Sequence, residues 1–148
     1  MYSQNNNYYW GRYIKLQQDR IVVNKFFSKR VFLLRKATNK SRASLAFALN
    51  LSPITLMRIE VYNKNKELSV NANTLKIIAE YFNVSEDWIK SDVDDLKSET
   101  TKKILLRVKI QAPLIESMTN AGIDSSTIPK LSECITDMFI LLGTLHRK

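Results

Sequence analysis

Apolar residues along this chain recur mostly at helical spacing, and polar residues that favour helix ends fall between the recurrences. Residues 25–38, KFFSKRVFLLRKAT, place apolar side chains at 27, 31 and 34, with another at 33, a stripe on one face of a 3.6-residue period. Ser41 then stands at an N-cap position, its hydroxyl free to accept from an orphan backbone N–H, and Leu45, Ala46 and Leu49 form the next stripe. Asn50 follows, a residue type that enters the left-handed region where many helices end. Ser52 is a second N-cap and Pro53 occupies the first helical position, where its missing N–H costs nothing; Leu56 and Ile59 continue the apolar face. After the polar stretch VYNKNKELS, the segment NANTLKIIAEYF carries Leu75, Ile78, Ala79 and Phe82 on one face. Asn83 supplies another left-handed stop, and Ser85 caps a short helix, EDWIK, whose Glu86 and Asp87 suit the positive end of its dipole.

These elements make a unit over residues 24–90, after which SDVDD reads as a linker. Residues 91–148 form a helical tail. Its first helix opens at Ser98 and Glu99 and carries Ile104, Leu105, Val108, Leu114 and Ile115; Pro113 is expected to kink or split it. Residues 124–129 read as a loop or cap. The last helix has a wide apolar face of Leu131, Ile135, Met138, Phe139, Leu142 and Leu145. A helix of this kind on a short tail is expected to seek a partner, because the core beside it is already closed. Residues 1–23 are a polar, Asn- and Tyr-rich arm, expected to be mobile at its start. Its Ile21, Val22 and Val23 belong either to a short helix or to an extended segment.

Composition narrows the class. Three glycines and three prolines leave little room for irregular or all-β structure, so the expected fold is all-α. No apolar run approaches the roughly 18–20 residues that span a bilayer, and the first residues lack the apolar centre of a signal peptide; a soluble, cytoplasmic protein is expected. Cys134 is alone, which excludes an intrachain disulfide; lying in an apolar helical run, it is expected to be buried. The single His146 and the scarcity of glycine leave no His-based triad, metal set or phosphate loop, so neither enzyme activity nor a cofactor is expected.

Charge is informative once located. The net charge is +9, yet residues 1–66 hold thirteen Lys and Arg against Asp19 and Glu60, a net +11, and the remainder is −2. All of the positive excess lies with the capped helix pair. That suits a polyanion-binding face joined to a protein-contacting one. The basic residues are not on one apolar-backed helix, which disfavours a membrane surface.

Residues 41–60 thus read as helix, turn with one left-handed residue, helix with an exposed polar edge: a helix-turn-helix, whose second helix enters the DNA major groove. The stretch from 30 to 90 resembles the lambda-type phage repressor (XRE) family of regulators. The resemblance rests on Arg30 and Arg35; on Ser41, Leu45, Ala46 and Leu49; on Leu51, Ser52, Thr55, Leu56, Arg58, Ile59 and Glu60; on Thr74, Leu75, Ile78 and Ala79; and on Val84, Ser85, Asp87 and Trp88. It covers under half of the chain. Asn50 stands where the family usually has Gly, and Pro53 stands where it often has a base-reading Gln or Arg.

Helical geometry puts Pro53, Ile54, Met57 and Arg58 on the exposed edge of the recognition helix, residues 52–61. Arg58 can donate two bonds to guanine O6 and N7, or else contact phosphate; Ile54 can meet a thymine methyl, or else join the core. Ser41, Arg42, Ser52, Asn63, Lys64 and Lys66 are the candidates for backbone phosphates, with Arg12, Lys15 and Arg20 of the arm in the same role. The resemblance implies that Arg35 and Glu60 form a structural ion pair. Trp88, Phe32 and Phe82 read as core. The expected protein is a five-helix repressor-like DNA-binding domain with a helical oligomerisation tail. Its expected function is that of a sequence-specific transcription regulator, most simply a repressor, binding a palindromic double-stranded DNA operator as a homodimer. A protein or small-molecule inducer would be a further partner. The alternative is a protein-interaction module, such as an antitoxin that holds a partner through its tail and autoregulates its operon.

Overall fold

The computed structural model describes residues 19–145, which form a mainly helical protein with one two-stranded sheet. Helix α1 (Lys25–Ala37) begins where the Asn24 carboxamide oxygen accepts from the amides of Phe26 and Phe27, both at 2.8 Å. It buries Phe27, Val31 and Leu34. Helix α2 (Arg42–Ala48) is capped by the Ser41 hydroxyl, which accepts from Ser44 N at 3.0 Å. Helix α3 (Pro53–Glu60) is capped in the same way by Ser52, which accepts from Thr55 N. Between α2 and α3, Asn50 takes φ +52° and lets the chain reverse in four residues. Helix α4 (Ala72–Phe82) buries the expected Leu75, Ile78, Ala79 and Phe82 and stops at left-handed Asn83. Helix α5 (Glu86–Lys90) starts at Ser85, although the hydroxyl there makes no cap bond. The inner faces of α1 to α5 close on one core with Val23, Val70 and Val108. Each fully buried Leu or Phe in it contributes roughly 1.5–3 kcal/mol.

Several expectations change. Of the two alternatives for residues 21–23 the extended one holds, though not as a separate arm: Arg20–Val22 is strand β1, paired antiparallel with β2 (Ser69–Asn71), which lies where the polar stretch meets the segment read as the next helix. Two β-branched side chains in RIV favour extended backbone, and Ile21 and Val23 pack on the core. The packed unit therefore starts before residue 24, with Ala72 N also donating to Asp19 O at 2.8 Å.

Residues 91–95 are not a free linker, because Arg30 holds them. This fully buried guanidinium donates to Ser91 O at 2.5 Å, Val93 O at 2.7 Å and Asp95 Oδ1 at 2.6 Å, and lies over the Trp88 ring. Helix α6 (Glu99–Asn120) runs unbroken through Pro113. Both Pro113 and Lys109, whose carbonyl loses its donor, are exposed, so water can take the donor's place. Helix α6 packs on α1 and sends Val108 into the core, so the first half of the tail is docked.

Helix α7 (Ile128–Leu145) packs chiefly on α6. Gly122 at φ +73° makes the turn before it. Asp124 and Ser126 brace the same loop; hydrogen bonds from the Ser126 hydroxyl and amide hold the Asp124 carboxyl below its ordinary range. Among its described side chains, α7 buries Ile128 and the small polar Ser132 and Thr136, whose hydroxyls donate to Pro129 O and Ser132 O. Arg107 of α6 reaches Asp137 at 2.7 Å and Glu133 at 3.7 Å. Cys134 is exposed, against expectation, because the inner face is the Ser132/Thr136 face and Cys134 is not on it. The apolar face is left outward.

Candidate nucleic-acid interface

Helix α3 has two unlike faces. Leu56 and Ile59 are fully buried. Pro53, Ile54, Met57 and Arg58 are all exposed, Ile54 at 60%, which removes Ile54 from the core. The exposed edge is held in place by one carboxylate. Glu60, 8% exposed, accepts from Arg35 Nε at 2.5 Å and Nη2 at 3.0 Å, a bidentate fork. Its Oε2 also accepts from Arg42 Nε at 2.7 Å. Arg35 in turn donates to Lys40 O at 3.1 Å. One acidic side chain thus joins α1, α2 and α3.

The placement of Arg42 differs from the sequence expectation in one respect. It stands at the first position of α2, half-exposed as a backbone-contacting residue should be, but its Nε is committed to Glu60. Two guanidiniums on one carboxylate leave the cluster with a net positive charge beside the α3 edge.

Met57, Arg58, Asn63 and Lys66 come together around a surface groove of about 440 Å3 beyond the C-terminal end of α3. Tyr62, passed over in the sequence, shares that groove and is 46% exposed; its only signal was an aromatic directly after an apolar stripe. The Asn63 carboxamide oxygen accepts from Asn65 N, fixing the turn that carries Lys64 and Lys66 outward. Ser41, Ser52 and Lys64 are exposed but lie outside the groove. Arg20 sits on β1, donating to Ser69 Oγ at 3.4 Å, while Arg12 and Lys15 lie outside the described residues.

On the tail, Met138, Phe139 and Leu142 are 61%, 56% and 51% exposed, Leu131 is at the edge of exposure and Ile135 is half-buried; the side chain of Leu145 lies outside the described residues. Among the described residues no group of His, Cys, Asp and Glu could hold a metal ion, and no helix is long and apolar enough to cross a membrane. Compared with known proteins, the chain matches no family model, no curated protein and no solved structure.

Proposed function

We propose that the protein is a helix-turn-helix transcription regulator, most simply a repressor, that binds a palindromic operator as a dimer with α3 in the major groove. The observation that carries this reading is α3 itself: an exposed edge of Pro53, Ile54, Met57 and Arg58 on a helix whose opposite face is anchored through Glu60 to two arginines. Lys66 shares the groove at the end of that helix, Lys64 is exposed two residues before it, and Arg42 at the start of α2 reaches Glu60 of α3, an arrangement that suits phosphate contacts. The pattern resembles the repressor family in the same residues. Selection of bound sequences from a random duplex pool tests it. The expected product is an inverted repeat with half-site centres about one helical turn apart. Affinity for the selected duplex should fall steeply with salt, with a log–log slope of about −0.9 per neutralised phosphate. No enrichment, or salt-independent binding, would remove the reading.

A second reading, a protein-interaction module of the antitoxin kind, is favoured by the outward apolar face of α7. The two readings part at one double variant. Phe139→Glu together with Met138→Glu should convert a dimer to a monomer by sedimentation equilibrium and weaken full-operator binding, and the melting temperature should lose its dependence on protein concentration, because association no longer adds to stability; the fold itself should persist, because both side chains are exposed on the single chain. If the unmodified chain sediments as a monomer at all concentrations, the antitoxin reading gains and the dimer is withdrawn.

A further inference from the structure

The first turn of α3 presents mainly carbon atoms to a groove. A recognition helix puts its N-terminal residues on base edges. Here those residues are Pro53 and Ile54, with Met57 three residues after Ile54 and so on the same face. Pro53 has no N–H to give, and Ile54 and Met57 are 60% and 44% exposed. The two hydroxyls of that turn are bonded to each other: Ser52 Oγ and Thr55 Oγ1 are 2.8 Å apart, and Ser52 Oγ also accepts from Thr55 N at 3.0 Å. Arg58, four residues after Ile54, is the next residue on this face with donors to offer a base. Apolar side chains gathered on an exposed edge mark a contact surface. In the major groove N7, O6, N6, N4 and O4 are all donors or acceptors, and the apolar feature is the C5-methyl of thymine.

We infer that Ile54 reads the 5-methyl group of a pyrimidine, and that 5-methylcytosine satisfies it as thymine does. The inference rests on the DNA-binding reading of α3 and goes further by naming the chemical group that is read. An isoleucine has neither donor nor acceptor, so it cannot tell the O4 acceptor of thymine from the N4 donor of cytosine. It responds to the methyl group that both can carry. Methylation of a cytosine at that position therefore strengthens binding, and base modification sets how fully the site is occupied.

The test measures the affinity of the full chain for the selected operator and for duplexes altered at one position of the half-site, at one fixed salt concentration. Uracil in place of thymine keeps the pairing with adenine and removes only the methyl. At one thymine position this should weaken binding roughly fourfold when made in one half-site, the worth of one buried methyl group, and roughly 15-fold when made in both. With cytosine opposite guanine at the same position, adding the 5-methyl should strengthen binding by the same factor. Ile54→Ser should bring both ratios close to one and leave the melting temperature little changed, because the side chain it replaces is exposed. Uracil bound as tightly as thymine at every position would overturn the inference and leave the DNA-binding reading in place. So would a methyl ratio that Ile54→Ser keeps, or a thymine–uracil ratio without its 5-methylcytosine–cytosine counterpart. Failure to select any duplex would overturn both.

Discussion

Glu60→Ala is expected to lower the melting temperature by roughly 10–20 °C and to weaken operator binding with it. The carboxylate is buried between Arg35 and Arg42, and the Arg35 side chain is itself only 8% exposed. Its removal leaves a buried guanidinium with Lys40 O as its remaining hydrogen-bond acceptor, beside the Phe32 ring. Breaking a buried pair from one side costs about 3–5 kcal/mol, a large part of the 5–15 kcal/mol that holds most domains together. For a chain of this size that is the stated shift in melting temperature. Arg42 is 44% exposed and is resolvated when it loses Glu60, so Arg42→Ala should cost less than about 1 kcal/mol. The double variant Arg35→Met with Glu60→Leu should be more stable than Glu60→Ala, because no charge is stranded. Thermal denaturation of the three variants checks the ordering. A Glu60→Ala protein that melts within about 3 °C of the parent would show that Glu60 does not seat α3.

Arg30→Met is the second large effect, and its signature is local. The methionine keeps much of the apolar stem but removes the donors to Ser91 O, Val93 O and Asp95. Hydrogen bonds from a charged group each contribute roughly 1.5–3 kcal/mol. Part of that is offset because a buried guanidinium no longer has to be desolvated, leaving an expected net loss of about 2–4 kcal/mol. The freed carbonyls reach solvent, so residues 91–98 and the first turn of α6 should exchange their amide hydrogens faster than the core helices do. Arg30→Lys should not restore protection, since one ammonium cannot span three acceptors set around a planar fork. Hydrogen exchange by mass spectrometry reads this directly, and unchanged protection over residues 91–98 would contradict it.

Much of the helical body was legible because its signals are local. Asn50 and Asn83 end their helices in the left-handed region, and Ser41, Ser52 and Ser98 accept from the amides three residues on. The stripe at 27, 31 and 34 also contains position 30 by spacing, so the burial of Arg30 could have been read there. Its partners, two backbone carbonyls and one of three nearby aspartates, lie more than sixty residues away and leave no local mark. The strand pair was hidden for the same reason: neither Arg20–Val22 nor Ser69–Asn71 is long enough to show an alternating pattern, and each exists because of the other. The edge of α3 followed from the helical period once Leu56 and Ile59 were taken as inward. The second arginine on Glu60 did not, because Arg42 is brought there by the turn at Asn50 and not by any period.

For α7 the sequence showed an apolar face expected to seek a partner, but not which residues would meet α6. Ser132 and Thr136 meet α6, their hydroxyls satisfied within the helix, and this leaves Met138, Phe139 and Leu142 facing outward. A reading that buries the most hydrophobic face of each helix places Cys134 inside and is wrong here.

The central claim is that α3 reads bases through its exposed edge. It is tested most directly by measuring the affinity of the unmodified chain and of Arg58→Ala for the selected operator and for each of its single-base-pair variants, at one fixed salt concentration. The unmodified chain should discriminate against one G·C replacement in each half-site by roughly 10-fold or more, the worth of a bidentate guanine contact. Arg58→Ala should lose that discrimination and keep the others. Equal discrimination by the two proteins at every position would contradict it.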